Sequence, residues 1–175
     1  WYLERDEVEG LVKYQTDILS CRYNGEQEEK TITLFVTEFN KEDEYDLLFV
    51  DGERLVEPPD NNEVLLNYNF AKNQGLEVGD KLWIVANDKE VEVTVSSLIV
   101  DSHFSTPFLS PNRCFVYSDF FKEYSIDNKM EMISIKYKDI SVVDDVKLFD
   151  EFTIDYDEEI APIFLDYASI KSTYS

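Results

Sequence analysis

The residue types that could carry chemistry are few in this chain, and their spacing is poor for it. One histidine, His103, stands in "DSHFST" beside Asp101 and Ser102. A Ser-His-Asp relay needs side chains that converge, and adjacent residues cannot stack as a relay without a special turn. His103 is therefore read as a loop residue. Thirty-eight acids make a pair of carboxylates for glycosidic cleavage available almost anywhere, so no particular pair is informative. Asp43, Glu44 and Asp46, or Asp155, Asp157 and Glu158, could meet a calcium ion. Neither group has the alternating ligands and central glycine of an EF-hand loop, and both read as solvated acids. Glycine-rich phosphate loops, the dinucleotide fingerprint and the nucleophile elbow are absent. Cys21 and Cys114 form no CxxC pair, which argues against a zinc knuckle. Both fall on the apolar parity of candidate strands, leaving buried thiols or, in an oxidising compartment, a disulfide. By elimination the chain reads as non-enzymatic, without cofactor or metal.

Composition narrows the class further. The 175 residues suit one ordinary domain, or a small domain inserted into another. Hydrophobic residues make up 43 %, with 11 Tyr and 12 Phe, which is enough for a core and argues against a disordered chain. The net charge of −22 repels phosphate backbones and anionic membrane surfaces, so nucleic acid is excluded as a partner. The charge itself reads as a solubility device. No run of about 20 apolar residues exists to span a membrane. The start at Trp1, with neither Met nor signal peptide, suggests an excised fragment rather than a whole gene product, from which any targeting or membrane segments have been cut away.

The elements that must position any site follow from local patterns. Residues 2–9 read as a helix end closed by Gly10. A strand over 11–23, with Leu19, Cys21 and Tyr23 on one face, leads through an Asn24-Gly25 hairpin turn into "TITLFVTEF". There Ile32, Leu34 and Val36 oppose Thr31, Thr33 and Phe35. The charged stretch 40–45 reads as a loop, and "DLLFVDGERL" as a strand and turn. "NNEVLLNYNFAKNQGLEVGDKLWIV", residues 61–85, is the most punctuated text. Glu63–Leu66 is a short strand, Asn67 an N-cap, Tyr68–Gln74 two turns of helix, and Gly75 the left-handed C′ residue. Leu76 can fold back onto Phe70 or Ala71. Gly79-Asp80 turns the chain into strand 81–86, and Asn87–Lys89 turns it again into strand 90–100, with Val91, Val93 and Val95 alternating. A loop over 101–112 precedes a strand at 113–117 and a short helix or turn at Asp119–Tyr124. Strand 131–138, with Ile133, Ile135 and Tyr137 inward, helix 141–150 and strand 152–156 then make a β-α-β unit. The tail reads as weakly helical from about Pro162.

"NEVLLNYNFAKNQGLEVGDKLWIV…EVEVTVSSLIVDS" resembles the extracytoplasmic domain of MacB/FtsX-type ABC transporter permeases. Glu63-Val64, Ala71-Lys72, Gly75-Leu76, Val78-Gly79-Asp80 and Val93–Val100 match that family's pattern. "VEGLVKY" (8–14) and "CFVYSDFF" (114–121) resemble its opening and return strands. "SSLIVDS" (96–102) departs from it by lacking the family's glycine. The resemblance implies an α+β fold: a porter-like β-α-β part built from both chain ends (1–47 and 106–175) and a small inserted α+β subdomain (48–105). It implies a non-catalytic domain on the outer face of the cell membrane, coupling ATP-driven motion to export or to an extracellular partner. A cytoplasmic ATPase would act through membrane helices, with a peptide, lipoprotein or cell-wall partner outside, and the intact transporter would be a dimer. The residues that carry the motif are Glu63, Ala71, Gly75, Gly79 and Asp80. The alternative class is a free-standing extracellular module for a peptide or glycan, which the aromatic content would suit.

The chemical reading makes a direct prediction. The purified chain is expected to hold no stoichiometric transition metal and to show no hydrolase activity; one tightly held zinc per chain in elemental analysis would contradict it.

Overall fold

The computed structural model describes residues 4–6, 8–25, 28–39, 47–49, 58–101, 112–127 and 129–139. His103, both candidate calcium clusters, the 40–45 loop, helix 141–150, strand 152–156 and the tail lie outside the described residues, as do the side chains of Ile133, Ile135 and Tyr137. The chain divides into two compact units. One comprises Trp1–Val12 with Ser134–Ser175, and the other Lys13–Ile133.

The larger unit is organised by one long strand. β1 (Val8–Asn24) and β2 (Glu29–Glu38) form an antiparallel hairpin. β3 (Leu47–Phe49), β4 (Glu63–Asn67), β5 (Lys81–Ala86) and β6 (Lys89–Asp101) follow, then β7 (Arg113–Val116) and β8 (Met130–Tyr137). The helices are α1 (Tyr68–Gln74), between β4 and β5, and α2 (Phe120–Glu123), after β7. Pairing runs β2-β7-β4-β6-β5-β1, and β1 pairs back onto β2, so six strands close into a ring. β8 attaches to β1 and β3 to β6. Closure leaves the six strands without a free edge over the paired residues, which removes the usual route to edge-to-edge aggregation.

The inner face of the ring holds the core. Leu34 and Val36 of β2, Leu66 of β4, Ile84 of β5, Val93 of β6 and Cys114 of β7 are fully buried there. β4 and β7 are antiparallel, so α1 and α2 leave the sheet at opposite ends. Both turn back onto the same face, and Phe70, Ala71, Phe120 and Phe121 join the same cluster. β4 and β7 are buried on their other face too: Leu65 and Phe115 oppose each other there. This explains why "EVLLN" and "RCFV" read as continuous apolar runs rather than alternating ones. On that second face Thr16 Oγ1 donates to the Val36 carbonyl at 2.9 Å and lies 3.0 Å from Thr37 Oγ1, so the buried hydroxyls are satisfied.

Three local expectations need correction. β1 begins at Val8, and Gly10 lies inside it with φ outside the left-handed region. The helix expected over 2–9 is a turn at Glu4–Asp6, because Val8 shares the buried even parity of Tyr14 and Thr16. The Asn24-Gly25 hairpin is present, but Gly25 is not left-handed and its N–H donates to Glu28 O at 2.9 Å across a longer loop. Its glycine serves close approach instead: a Cβ there would sit 2.9 Å from that carbonyl. The two-residue turn with both residues left-handed is Asn87-Asp88, at φ 46° and 62°.

The cysteines are both free and buried. β2 lies between their strands, with Cys21 opposite Ile32 and Cys114 opposite Val36. Two strand spacings, roughly 10 Å, already exceed the Cα separation a disulfide spans. The disulfide alternative is thereby set aside. Burial pushes the Cys21 thiol up to about 12, and raises Cys114 as well. A folded pKa above the unfolded one means that the folded chain holds these protons longer. The resulting stability is complete below the unfolded thiol value and is lost as pH rises through the folded one. Both thiols are therefore expected to resist Ellman's reagent at mildly alkaline pH until the chain is denatured, and the unfolding midpoint to fall above about pH 8.5; a thiol that reacts in the folded state would contradict the burial.

Candidate functional site

The segment Glu63–Val95 is built from local rules that reinforce one another. β4 ends at Asn67, whose extended backbone (φ −60°, ψ 129°) lets its Oδ1 accept from Phe70 N at 3.1 Å. That bond satisfies one of the unpaired donors of the first turn. Phe70 and Ala71 on the inward stripe of α1 are buried. Gly75 takes φ 69°, ψ 31°, Leu76 N donates to Ala71 O at 2.9 Å, and Leu76 is buried in the same core. This is a Schellman closure with its hydrophobic contact. Tyr23 of β1 ties the far end down, donating its hydroxyl to Gln74 Oε1 at 2.6 Å.

The following turn is stitched as tightly. Asp80 N donates to Glu77 O at 3.2 Å, and Glu77 N to Asp80 Oδ2 at 2.8 Å. Gly79, at φ 96°, donates to Val95 O at 2.8 Å, and Val95 N to Asp80 O at 2.8 Å. The Gly-Asp pair is thus a rivet joining the start of β5 to the middle of β6. At its tip Val78 is held in water, 60 % exposed. Glu63 opens β4, and its carboxylate accepts from Asp60 N at 3.2 Å. The five motif residues are accordingly placed in one module: Glu63 at its entry, Ala71 in its core, Gly75 at the cap, Gly79 and Asp80 in the rivet. Among the described residues, none of the five joins a group of three or more His, Cys, Asp or Glu that could hold a metal ion.

Several residues that the motif reading passed over complete the frame. Ser96 is the extra residue of a β-bulge: Val64 pairs with Val95 and Leu65 with Ser97, so Ser96 is left over. Its Oγ donates to Val64 O at 3.2 Å. After the bulge the parity of β6 inverts, and Ile99 is buried on the face of Leu65. Asn87 Nδ2 donates to Tyr124 O at 2.9 Å and to Ser125 O, pinning the β5–β6 hairpin tip to the end of α2. Glu38 accepts from Phe121 N at 2.7 Å, which anchors the start of α2 to β2. Burial raises the Glu38 pKa, partly offset by that bond. Only the Ser-Ser pair interrupting an alternating valine run hinted at any of these. Among the described residues, no three His, Cys, Asp or Glu side chains come together as a metal site, and no helix is long and apolar enough to cross a membrane.

No protein-family model and no curated protein matches this chain. Its fold is similar to a domain assigned to a permease protein of Porphyromonas gingivalis, at a TM-score of 0.50 and 15 % identity over 88 % of this chain and 67 % of that one. This chain has the fold of that permease domain. The extracellular domain of the ABC-type transporter YknZ from Gram-positive bacteria is similar at a TM-score of 0.46 and 18 % identity, covering 78 % of this chain and 68 % of its own.

The cap geometry generates a stability prediction. A Cβ on Gly75 would meet nothing within 4 Å, so the cost of a side chain there is backbone strain alone. Gly75→Val is expected to destabilise by about 1 kcal/mol or more, and Asn67→Ala by about 1 kcal/mol through loss of the N-cap. Urea unfolding measures both, and a midpoint unchanged by the valine would remove the cap argument.

Proposed function

We propose that this chain is the extracytoplasmic domain of an ABC transporter permease of the MacB/FtsX type. The observation that carries the reading is the shared fold with a permease domain over 88 % of the chain. The motif of Glu63, Ala71, Gly75, Gly79 and Asp80 supports it, since each residue has a structural job in one module. The domain does no chemistry. It stands on the outer face of the cell membrane and couples motion driven by a cytoplasmic ATPase to export, or to a peptide, lipoprotein or cell-wall partner outside. The intact transporter holds two copies.

The module suits a mechanical role for a physical reason. Force is transmitted by elements whose backbone groups are bonded internally and whose side chains are close-packed. α1 and its turn meet both conditions, being fixed at Asn67, Gly75, Gln74 and Val95. In this reading the unit that includes both chain ends, where Lys138 Nζ donates to Asp6 O at 2.7 Å, belongs to the porter-like part next to the membrane.

Cysteine labelling of the full-length protein in its own cells tests the location. Both thiols of this chain are buried, so Val78→Cys adds an accessible thiol at the tip of the turn, read against the unsubstituted full-length protein. A membrane-impermeant maleimide is expected to label it on intact cells, in the membrane fraction. Labelling only after lysis would overturn the reading. Labelled protein free in the medium would favour the free-standing module.

A further inference from the structure

Of the ten asparagines in the chain, Asn24 alone is followed by glycine. The pair does not make the turn that its sequence suggests. Asn24 is the last residue of β1, in extended backbone and opposite Glu29. Gly25 donates its N–H to Glu28 O at 2.9 Å. A Cβ on Gly25 would sit 2.9 Å from that oxygen and 3.1 Å from Lys30 Cε, so packing keeps a glycine here. Just inside the turn Arg22 donates to Glu29. The Asn24 side chain is exposed to water. The requirement for glycine thus sets beside Asn24 the one residue type whose amide nitrogen no side chain shields.

The structure assigns Asn24-Gly25 as a deamidation site that the closed β1–β2 hairpin holds inactive and that reacts when the hairpin opens. In the reaction the Gly25 nitrogen loses its proton, bonds to Asn24 Cγ and expels the side-chain nitrogen as ammonia. Water then opens the five-membered imide at either carbonyl. One cut leaves an aspartate at position 24. The other leaves isoaspartate, in which the chain runs through Cγ and is one methylene longer. The folded geometry opposes the first step in two ways. Ring closure needs Asn24 Cβ almost eclipsed with the Gly25 nitrogen, and extended strand backbone turns the two apart. The Gly25 N–H is engaged with a carbonyl, so removing its proton costs that bond. Both obstacles lapse when the end of the hairpin frays, which takes only local opening. Isoaspartate makes the change one-way. The added methylene carries Gly25 N off register with Glu28 O and removes the Asn24–Glu29 pair. The ring is then weakened beside Tyr23, whose backbone is paired to both β2 and β5. The site is independent of the permease reading.

Peptide mapping of the aged chain tests it. The purified chain is held at mildly alkaline pH, folded in buffer or unfolded in guanidinium chloride. Trypsin then cuts after Arg22 and Lys30, and the released "YNGEQEEK" is followed by mass spectrometry. Replacement of the side-chain NH2 by OH is expected at least about tenfold more slowly in the folded chain, the order that one hydrogen bond and the barred rotation supply together. Asn24→Gln, whose longer side chain would have to close a six-membered ring, is expected to keep its mass in both states. Asp51-Gly52 can form the same imide, but losing and regaining water leaves its mass unchanged. The isoaspartate form, separated by chromatography, is expected to unfold at a lower urea concentration than the unaged chain, whereas Asn24→Asp leaves the midpoint nearly where it was. Equal rates in the two states overturn the inference, and so does an isoaspartate form as stable as the unaged chain.

Discussion

Everything in the larger unit depends on one strand being hydrogen-bonded on both edges over the same residues. Ser20–Tyr23 of β1 face Thr33–Lys30 of β2 on one side and Val85–Leu82 of β5 on the other. Without that double pairing the six strands would form an open sheet with two exposed edges. With it they close, and the inner face becomes a space that side chains must fill. Cys21 and Tyr23 sit at this seam, both fully buried, and Tyr23 reaches across to Gln74 of α1. The seam, the core and the helix are thus coupled through two residues.

Closure also explains the position of the helices. A six-stranded ring cannot be filled by its own strands where their lengths differ, and β4 and β7 are short. α1 and α2 leave from opposite ends of that antiparallel pair and bring Phe70, Ala71, Phe120 and Phe121 into the core. Their anchors are side chains of neighbouring strands and turns: Tyr23 for α1, Glu38 and Asn87 for α2. An α2 of four residues has little helical stability of its own, so these tertiary bonds hold it in place. The same logic accounts for the bulge at Ser96, which re-aims β6 so that it can be buried on one face beside β5 and on the other beyond Val95.

The charge of the chain is handled by separation. Among the described residues no acid lies in the core and most acids are exposed, with Glu38 half-buried and accepting from Phe121 N. Where acids cross the sheet they are matched by Arg22 or Lys81. Exposed pairs of this kind contribute little to folding.

Local rules made much of this legible in the sequence. Asn67, Gly75, Leu76, Gly79 and Asp80 could be assigned their jobs because caps and turns are set by contacts a few residues apart. The alternating faces of β1, β2, β5 and β6 were legible for the same reason, as was the resemblance carried by residues 61–101. Ring closure was not legible, since no local pattern says that one strand will pair on both edges, nor that β2 lies between the two cysteine strands. The parity change at Ser96 and the strand character of Gly10 were hidden too, because propensity at those positions is weak and burial across the sheet decides. Short-range hydrogen bonds wrote the module into the sequence; the pairing of distant strands, which gains its energy only when the whole ring forms, was decided by the tertiary structure alone.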